Sequence, residues 1–261
     1  MNGPCRIFAA SVFFVAVGVQ PLQSKTPEER GLEIAIAADK ANSGFKGEKA
    51  TLQMELINAH GDVVKRTLTL KVLEMEKDGD KAISNFQWPP DVKGTKLLTW
   101  SHKTGNDDQW LYLPAIKRIK RISSRNKSGS FMGSEFSYED FGSQEVEEYS
   151  YRLIEEGKFD GRDVWVMERK PVDKLSGYSR QLVWLDKQYS GPLKIEYYDR
   201  KGELLKVATF KGYQKIGKFW RFKSIHMDNV QTKKKSILTW DDRQLLVNFD
   251  EQDFESGTLE E

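Results

Sequence analysis

The residue types used most often for metal binding and proton transfer are scattered along this sequence. Its three histidines are His60 in a predicted turn, His102 at a predicted strand end and His226 within a predicted strand. None has a second ligand at the spacing that zinc sites use, and no nucleophile and base surround any of them. We therefore expect structural roles for all three histidines and no metal site.

Paired carboxylates, which carry out acid–base catalysis in many hydrolases, do not converge either. Asp241 and Asp242, like Glu155 and Glu156, are neighbours within predicted strands, where successive side chains point to opposite faces. The sequence also lacks a nucleophile elbow, a phosphate-binding loop and a dinucleotide fingerprint. It therefore predicts a protein that is not an enzyme and holds no cofactor. A hydrolase with dispersed catalytic residues is the alternative.

A basic run offers a different chemistry. Lys117, Arg118 and Arg121 alternate with Ile119 and Ile122, as in an exposed edge strand whose charges discourage pairing with another chain. The same cations could form a patch for anionic lipid headgroups or for an acidic partner surface. Both interpretations stay open.

The stretch at residues 107–142 begins with a compact apolar strand and ends in a long loop. Such loops are usually functional or disordered, but disordered segments generally lack large apolar side chains. We therefore expect a mobile cover over an apolar cavity, hinged at Gly129, Gly133 and Gly142; alternatively, its side chains pack a satellite core. The predicted ligand-binding side chains, from this stretch and two later strands, are Trp110, Tyr112, Phe131, Met132, Phe136, Tyr138, Phe141, Trp165 and Trp184.

Length and charge limit the class of protein. A chain of 261 residues with 38% hydrophobic content can bury a sizeable core in one large all-β domain or in two small ones. The 41 basic and 39 acidic residues give a net charge of +2. Nucleic-acid-binding domains are usually strongly basic, so we expect no nucleic-acid partner.

The first residues have the features of a cleaved signal peptide at residues 1–24. Arg6 precedes an apolar core at residues 7–19, and a plausible cleavage site lies before Lys25. The apolar core is shorter than the roughly 20 residues of a membrane span; an uncleaved tether is the alternative. Cys5, the single cysteine, precedes that core, unlike the lipidated cysteine of a lipoprotein. We expect export to the periplasm of a mature domain, residues 25–261, without disulfides.

The elements that must position these residues are one helix and a long series of strands. Thr26, Pro27 and Glu29 form a capping-box pattern ahead of a helix with an apolar stripe, Ile34, Ala35, Ala38 and Ala41, that ends at residues 42–44. Strands are predicted at 51–56, 64–72, 81–88, 95–101, 109–113, 149–155, 163–168, 180–186, 193–199, 204–213, 218–229 and 234–246. Regular turn signals predict an antiparallel meander that closes into a sandwich or barrel.

Two segments resemble a known family. Residues 110–119 (WLYLPAIKRI) and 131–140 (FMGSEFSYED) are similar to the central signature of the outer-membrane lipoprotein-sorting proteins of the LolA-like superfamily. The resemblance implies a mainly β fold: an unclosed antiparallel barrel, formed by a strongly curved sheet, with an N-terminal helix and a lid segment over its concave apolar face. The best-known lipoprotein carrier has a shorter mature chain, and its functional arginine matches no particular position here.

The same resemblance implies a function. It implies a periplasmic carrier or chaperone, monomeric, that binds lipid or lipoprotein acyl chains in an apolar cavity and moves them toward the outer membrane. The alternative is an accessory subunit that docks on an RND/MMPL-type membrane transporter and has no cargo of its own.

Overall fold

The computed structural model describes residues 24–260, so the predicted signal peptide lies almost entirely outside the described residues. The elements are α1 (Pro27–Asn42), β1 (Gly47–Ile57), β2 (Val63–Leu73), β3 (Lys81–Trp88), β4 (Lys96–Trp100), β5 (Asp108–Leu113), β6 (Arg118–Ile122), β7 (Tyr149–Phe159), β8 (Arg162–Pro171), β9 (Tyr178–Asp186), β10 (Pro192–Asp199), β11 (Leu204–Lys211), β12 (Gln214–Ile216), β13 (Phe219–Arg221), β14 (Ser224–Asn229) and β15 (Lys235–Leu245). No helix among the described residues is long and apolar enough to cross a membrane.

Thirteen strands form one sheet in the order β6-β5-β4-β3-β2-β1-β15-β14-β11-β10-β9-β8-β7, while β12 and β13 form a separate hairpin. Every neighbouring pair in the large sheet is antiparallel. The outermost strands, β6 and β7, do not pair with each other, so the curved sheet stays open. The predicted unclosed antiparallel barrel is therefore confirmed.

Helix α1 begins as the sequence predicts. Thr26 Oγ1 accepts a hydrogen bond from the backbone N of Glu29, and the Glu29 carboxylate accepts one from the backbone N of Thr26. Ile34 and Ala35 are buried, whereas Ala41, which the predicted stripe included, is exposed. The helix lies closely on strand β7, because a side chain at Gly31 would meet the β7 backbone at 2.8 Å.

The long loop is explained by the strand order. Residues 123–148, called the strap below, connect β6 at one edge of the sheet with β7 at the other. A chain that joins opposite edges must cross the whole concave face. The strap therefore covers that face, as the predicted lid segment does.

Both faces of the sheet are covered. Alternate residues of the strands at the β6 end of the sheet, such as Leu68, Phe86 and Leu97, pack under the strap on the concave side. On the convex side, the C-terminal tail inserts Phe254 and Leu259 against strands β4 and β5. Aromatic residues on both faces of the strands are thus explained by this tail as well as by the strap.

Some strand boundaries differ from the predicted ones. Strand β7 continues through the predicted turn at Gly157, and the chain reverses at Asp160 and Gly161, both with positive φ. The predicted strand at 204–213 ends at Lys211 because Gly212 has a φ of 68°.

Candidate functional site: a cavity under helix α1

An apolar cavity of about 400 Å³ lies between α1 and the concave face of the sheet. Its volume is within the range of roughly 300–1,000 Å³ that is typical of ligand sites. Strands β8, β9, β10, β11 and β14 form its floor, and α1 and the strap form its roof. The lining apolar side chains are Ala35, Ala38, Phe136, Val146, Tyr151, Met167, Val183, Leu185, Pro192, Ile195, Tyr197, Phe210, Phe222, Ile225 and Met227.

The helix leaves this space open because the residues it turns toward the sheet are small. Ala35 and Ala38 are the apolar side chains that α1 contributes to the lining, and alanine reaches only one carbon beyond the backbone. On the floor, Val183 and Leu185 point inward while Trp184 between them points to the other face, as the alternation of a strand requires. Small helix residues above large strand residues thus produce a cavity rather than a packed interface.

The cavity continues into a wider and more polar mouth of about 1070 Å³. The two spaces share Asp39, Asn42, Gln144, Ser190, Pro192 and Phe222 in their linings. Acidic and basic side chains both line the mouth, whereas the inner cavity is mainly apolar. An apolar interior behind a polar entrance suits an amphiphilic molecule.

Two arginines share one glutamate at this mouth. Arg243 Nε lies 2.9 Å from Glu48 Oε1, and Arg221 Nε lies 3.9 Å from Glu48 Oε2. Burial and the positive charge of Arg221 together lower the pKa of Arg243 to about 10, against the attraction of Glu48. Burial also lowers the pKa of Arg221, against the attraction of Glu48, Glu74 and Asp80.

The strap aromatics lie mostly outside the cavity. Phe131 is fully buried and packs against Phe86 of β3, Tyr138 and Phe141, with ring centroids 5.7, 5.7 and 4.4 Å away. Of the loop side chains predicted to bind ligand, only Phe136 lines the cavity. The structure places Phe131, Met132, Tyr138 and Phe141 in the main core beside it, and ligand binding by these four side chains stays a prediction.

Hydrogen bonds tie the strap to strands on both sides of the sheet. Arg66 on β2 donates to the carbonyl of Met132, and Gln109 on β5 donates to the carbonyl of Tyr138 at 2.9 Å. Lys206 on β11 donates to the carbonyl of Glu135 at 2.9 Å. These bonds hold the strap across the concave face.

Gly133 and Gly142, two of the glycines predicted as hinges, are required for different reasons. Gly133 has a φ of 76°, in the left-handed region that favours glycine. A side chain at Gly142 would meet the carboxylate of Asp107 at 2.3 Å. Close packing therefore explains Gly142, and hinge motion of the strap stays a prediction.

The predicted strand aromatics also fall beside the cavity rather than in it. Trp110 and Tyr112 pack on the convex face under the C-terminal tail, and Trp184 belongs to a second cluster away from the cavity. Trp165 packs against the main core without lining the cavity. Ligand binding by these side chains stays a prediction. On β9 the side chains that line the cavity are Val183 and Leu185, the two neighbours of Trp184, and alternation along this strand indicates that they share a face.

The predicted basic patch lies on an edge strand. Arg118 and Arg121 are exposed on β6, and Lys117 precedes that strand with a φ of 47°. Arg121 forms an ion pair with Asp108 on the neighbouring strand β5. The predicted edge position is confirmed, and binding of headgroups or of a partner to this patch stays a prediction.

The histidines lie apart from the cavity. His102 Nδ1 is 2.6 Å from Asp78 Oδ2; burial lowers the pKa of His102, but the hydrogen bond and charge of Asp78 raise it more. Neither His60 nor His226 lines the cavity or its mouth. Among residues 24–260, no group of histidine, cysteine and carboxylate side chains could hold a metal ion.

Glu148, at the end of the strap, predicts a pH dependence. Burial and the negative charge of Asp107 together raise its pKa from 4.5 to about 8, against a hydrogen bond from the backbone of Glu145 and the positive charge of Lys127. The stability that protonated Glu148 contributes is therefore complete below about pH 4.5 and lost as the pH rises through about 8. We expect the free energy of unfolding to fall by about 1–2 kcal/mol between about pH 6 and pH 8.

Urea unfolding of Glu148→Gln at both pH values checks this effect. The glutamine variant should show a smaller fall, whereas Glu147→Gln, at an exposed neighbour, should behave like the unaltered protein. A fall of unchanged size in Glu148→Gln would contradict the assignment.

Comparison with known proteins defines the class of this fold. A model of a family of uncharacterized proteins matches residues 78–261, and no curated protein matches the chain. A solved outer-membrane lipoprotein-sorting protein domain from Vibrio parahaemolyticus is 49% identical, with 90% of this chain and 100% of that chain covered and a TM-score of 0.88. A DUF1329 family protein from Desulfovibrio piger is 30% identical, with the same coverage and a TM-score of 0.86.

A LolA superfamily protein from Nitrosomonas europaea shares the fold, with 18% identity, 90% of this chain and 100% of that chain covered, and a TM-score of 0.70. These similarities define a protein with the LolA-like fold. The chain belongs to the same family as the Vibrio parahaemolyticus lipoprotein-sorting protein domain and the DUF1329 family protein.

Proposed function

We propose that this protein is a periplasmic carrier that binds the acyl chains of a lipid or lipoprotein and moves them toward the outer membrane without catalysis. The observation that carries the proposal is the apolar cavity between α1 and the sheet, with its polar mouth. The domain proposed to do this is the whole of residues 25–261. The name of the Vibrio parahaemolyticus relative, a lipoprotein-sorting domain, supports the same role.

Elementary energetics support an acyl chain as the cargo. Transfer of an apolar chain from water gains about 0.8 kcal/mol for each buried CH₂ group. A binding site for such a chain therefore needs apolar area and access rather than fixed hydrogen-bonding groups. The floor side chains Met167, Leu185, Ile195 and Met227 provide that area.

Filling the cavity from the helix should abolish this binding. Ala38 lines the cavity on α1, whereas Ala41 on the same helix is exposed. We expect Ala38→Trp to weaken binding of a dansyl-labelled fatty acid at least tenfold, because displacement of two methylene groups costs about 1.6 kcal/mol. Fluorescence titration measures the dissociation constant.

Ala41→Trp is the matched control and should bind the probe like the unaltered protein. Circular dichroism spectra should be the same for both variants. Equal probe affinities for the two variants would mean that the cavity under α1 is not the binding site.

The exposed basic edge strand favours a second function, that of a subunit that docks on another surface. Lys117, Arg118 and Arg121 lie at or beside β6, an outer strand of the sheet. An RND/MMPL-type transporter as the partner stays a prediction. Replacing the three cations by glutamate should weaken binding to anionic vesicles at least tenfold, because each cation near such a surface contributes about 1 kcal/mol.

A control with the same change of charge separates a local effect from a global one. Lys215, Lys233 and Lys234 are exposed elsewhere on the surface, and their replacement by glutamate should have a smaller effect in vesicle co-sedimentation. If the edge-strand variant bound both vesicles and a transporter ectodomain as well as before, only a role in preventing edge pairing would remain.

A further inference from the structure

Two buried arginines, Arg221 and Arg243, lie beside the same glutamate, Glu48, at the cavity mouth. The side chains of Glu48, Arg221 and Arg243 are 10%, 12% and 8% exposed. The carboxylates of Glu74 and Asp80 act on Arg221 in addition to Glu48. Arg243 shares Glu48 with Arg221, and a buried charge is costly unless it is paired.

Some buried hydrogen-bond donors at the mouth also lack an acceptor among residues 24–260. Arg243 Nη1 donates to the carbonyl of Phe222 at 2.8 Å. Among residues 24–260, Arg243 Nε and Trp240 Nε1 are buried atoms that make no hydrogen bond, although Arg243 Nε lies 2.9 Å from Glu48 Oε1. Both side chains line the mouth, and buried donors are nearly always satisfied. An anionic group in the mouth would give these two donors an acceptor.

Neighbouring groups hold the pair rigidly in place. The guanidinium carbon of Arg243 lies 5.2 Å from the centroid of the Phe222 ring and 4.7 Å from that of Trp240. Arg221 Nη1 donates to Asn42 Oδ1 at the end of α1, at 2.9 Å. A guanidinium group held in place in this way can donate paired hydrogen bonds to the oxygens of a phosphate.

A second set of charged groups in the same mouth is acidic. Asp39 on α1, Asp80 before β3 and Glu145 on the strap all line it. Burial raises the pKa of each, and repulsion from neighbouring carboxylates contributes, so that the pKa of Asp80 rises to about 7; Lys103 opposes the rise for Asp39 and Glu145. A cation placed among them would relieve this repulsion.

We propose that the mouth binds the headgroup of a zwitterionic phospholipid, with its phosphate on Arg221 and Arg243 and its ammonium group near Asp39, Asp80 and Glu145. This inference rests on the proposed function, because the acyl chains of the same lipid would occupy the inner cavity. A purely anionic headgroup would meet the carboxylates, and a purely cationic one would meet the arginines. A neutral headgroup would leave both sets unpaired.

Three lipids with identical acyl chains test the headgroup. Phosphatidylethanolamine is zwitterionic, phosphatidylglycerol is anionic and diacylglycerol is neutral. In competition with a dansyl-labelled fatty acid, we expect phosphatidylethanolamine to bind about tenfold more tightly than diacylglycerol, the size of one charge-assisted hydrogen bond. Phosphatidylglycerol should lie between the two.

Arg243→Gln is the sharpest variant because it removes one of the two guanidinium groups and leaves Glu48 paired with Arg221. It should lower the affinity for phosphatidylethanolamine to that for diacylglycerol, whose own binding should not change. Arg243→Lys, which restores the charge, should recover part of the preference.

Asp80→Asn tests the acidic side independently and keeps the oxygen that accepts a hydrogen bond from Met75. It should reduce the preference for phosphatidylethanolamine over phosphatidylglycerol. This variant keeps the proposal testable if Arg243→Gln does not fold.

The outcomes separate the headgroup site from the carrier function. If no lipid displaced the probe, the carrier function and the headgroup site would both fail. Equal affinities for the three lipids would overturn the headgroup site alone. Free phosphoethanolamine should compete at least tenfold more weakly than the lipid; equal competition would indicate a site for a small ion and would overturn the proposal.

Discussion

Phe131→Ala is expected to destabilise the protein by about 3–5 kcal/mol, the usual cost of removing a buried phenylalanine ring. The ring is fully buried between the strap and strand β3. It also contacts Tyr138 and Phe141, so its loss would leave a cavity lined by side chains that the strap holds in place. Urea unfolding followed by circular dichroism measures the change.

Ile116→Ala serves as the control for this variant. Ile116 lies just before β6 and is 59% exposed, so its truncation should change stability by no more than about 0.5 kcal/mol. A loss below about 1 kcal/mol for Phe131→Ala would mean that the strap is a loosely attached cover rather than part of the core.

Lys206→Met is expected to have an effect of similar size, about 3–5 kcal/mol, because it leaves a buried carboxylate without its counter-ion. Lys206 Nζ lies 2.6 Å from Asp140 Oδ2, and the two side chains are 4% and 6% exposed. Asp140 also accepts hydrogen bonds from Tyr178 and from the backbone N of Ser137. The ion pair thus fixes the strap to β11 and, through Tyr178, to β9.

A second variant and a surface pair make this prediction specific. The double variant Lys206→Met with Asp140→Asn removes both charges and should recover part of the lost stability. Lys235 and Asp228 are equally close, at 2.6 Å, but are 56% and 39% exposed, so Lys235→Met should cost at most about 1 kcal/mol. Equal losses for Lys206→Met and Lys235→Met would contradict the view that burial makes the strap pair important.

The local elements could be predicted from the sequence because their signals are local. The capping box of α1 depends on residues three apart, and it is present as predicted. Alternating side chains similarly indicated most strands, including the basic edge strand β6. The overall arrangement as an unclosed barrel came from the resemblance to a family.

The sequence did not show which part of the concave face is packed under the strap and which part is left as a cavity under α1. This division depends on the strand order, which places β6 and β7 at opposite edges and forces the strap to cross between them. No local pattern shows that Phe131 fills the space under the strap while Ala38 leaves space under α1. The aromatic residues suggested where apolar area is concentrated, but the cavity lies where the helix side chains are small.

The sequence also did not show which face of each strand lies on the concave side of the sheet. Periodicity shows that Val183 and Leu185 share one face and Trp184 takes the other, but it does not show which face is concave. That choice depends on the curvature of the sheet and on segments distant in sequence: α1 and the strap lie over Val183 and Leu185, while Tyr189 and Tyr213 pack in the cluster of Trp184. Contacts between distant parts of the chain therefore decided which side chains line the cavity.

The most direct test of the carrier function is the lipid that the protein holds when it is isolated. The 261-residue protein, expressed from its first residue and purified without detergent, would be analysed by native mass spectrometry and, after solvent extraction, by lipid mass spectrometry. We predict a bound species with acyl chains, reduced in Ala38→Trp and retained in Ala41→Trp. Protein free of lipid that also fails to take up an added fatty acid would contradict the account.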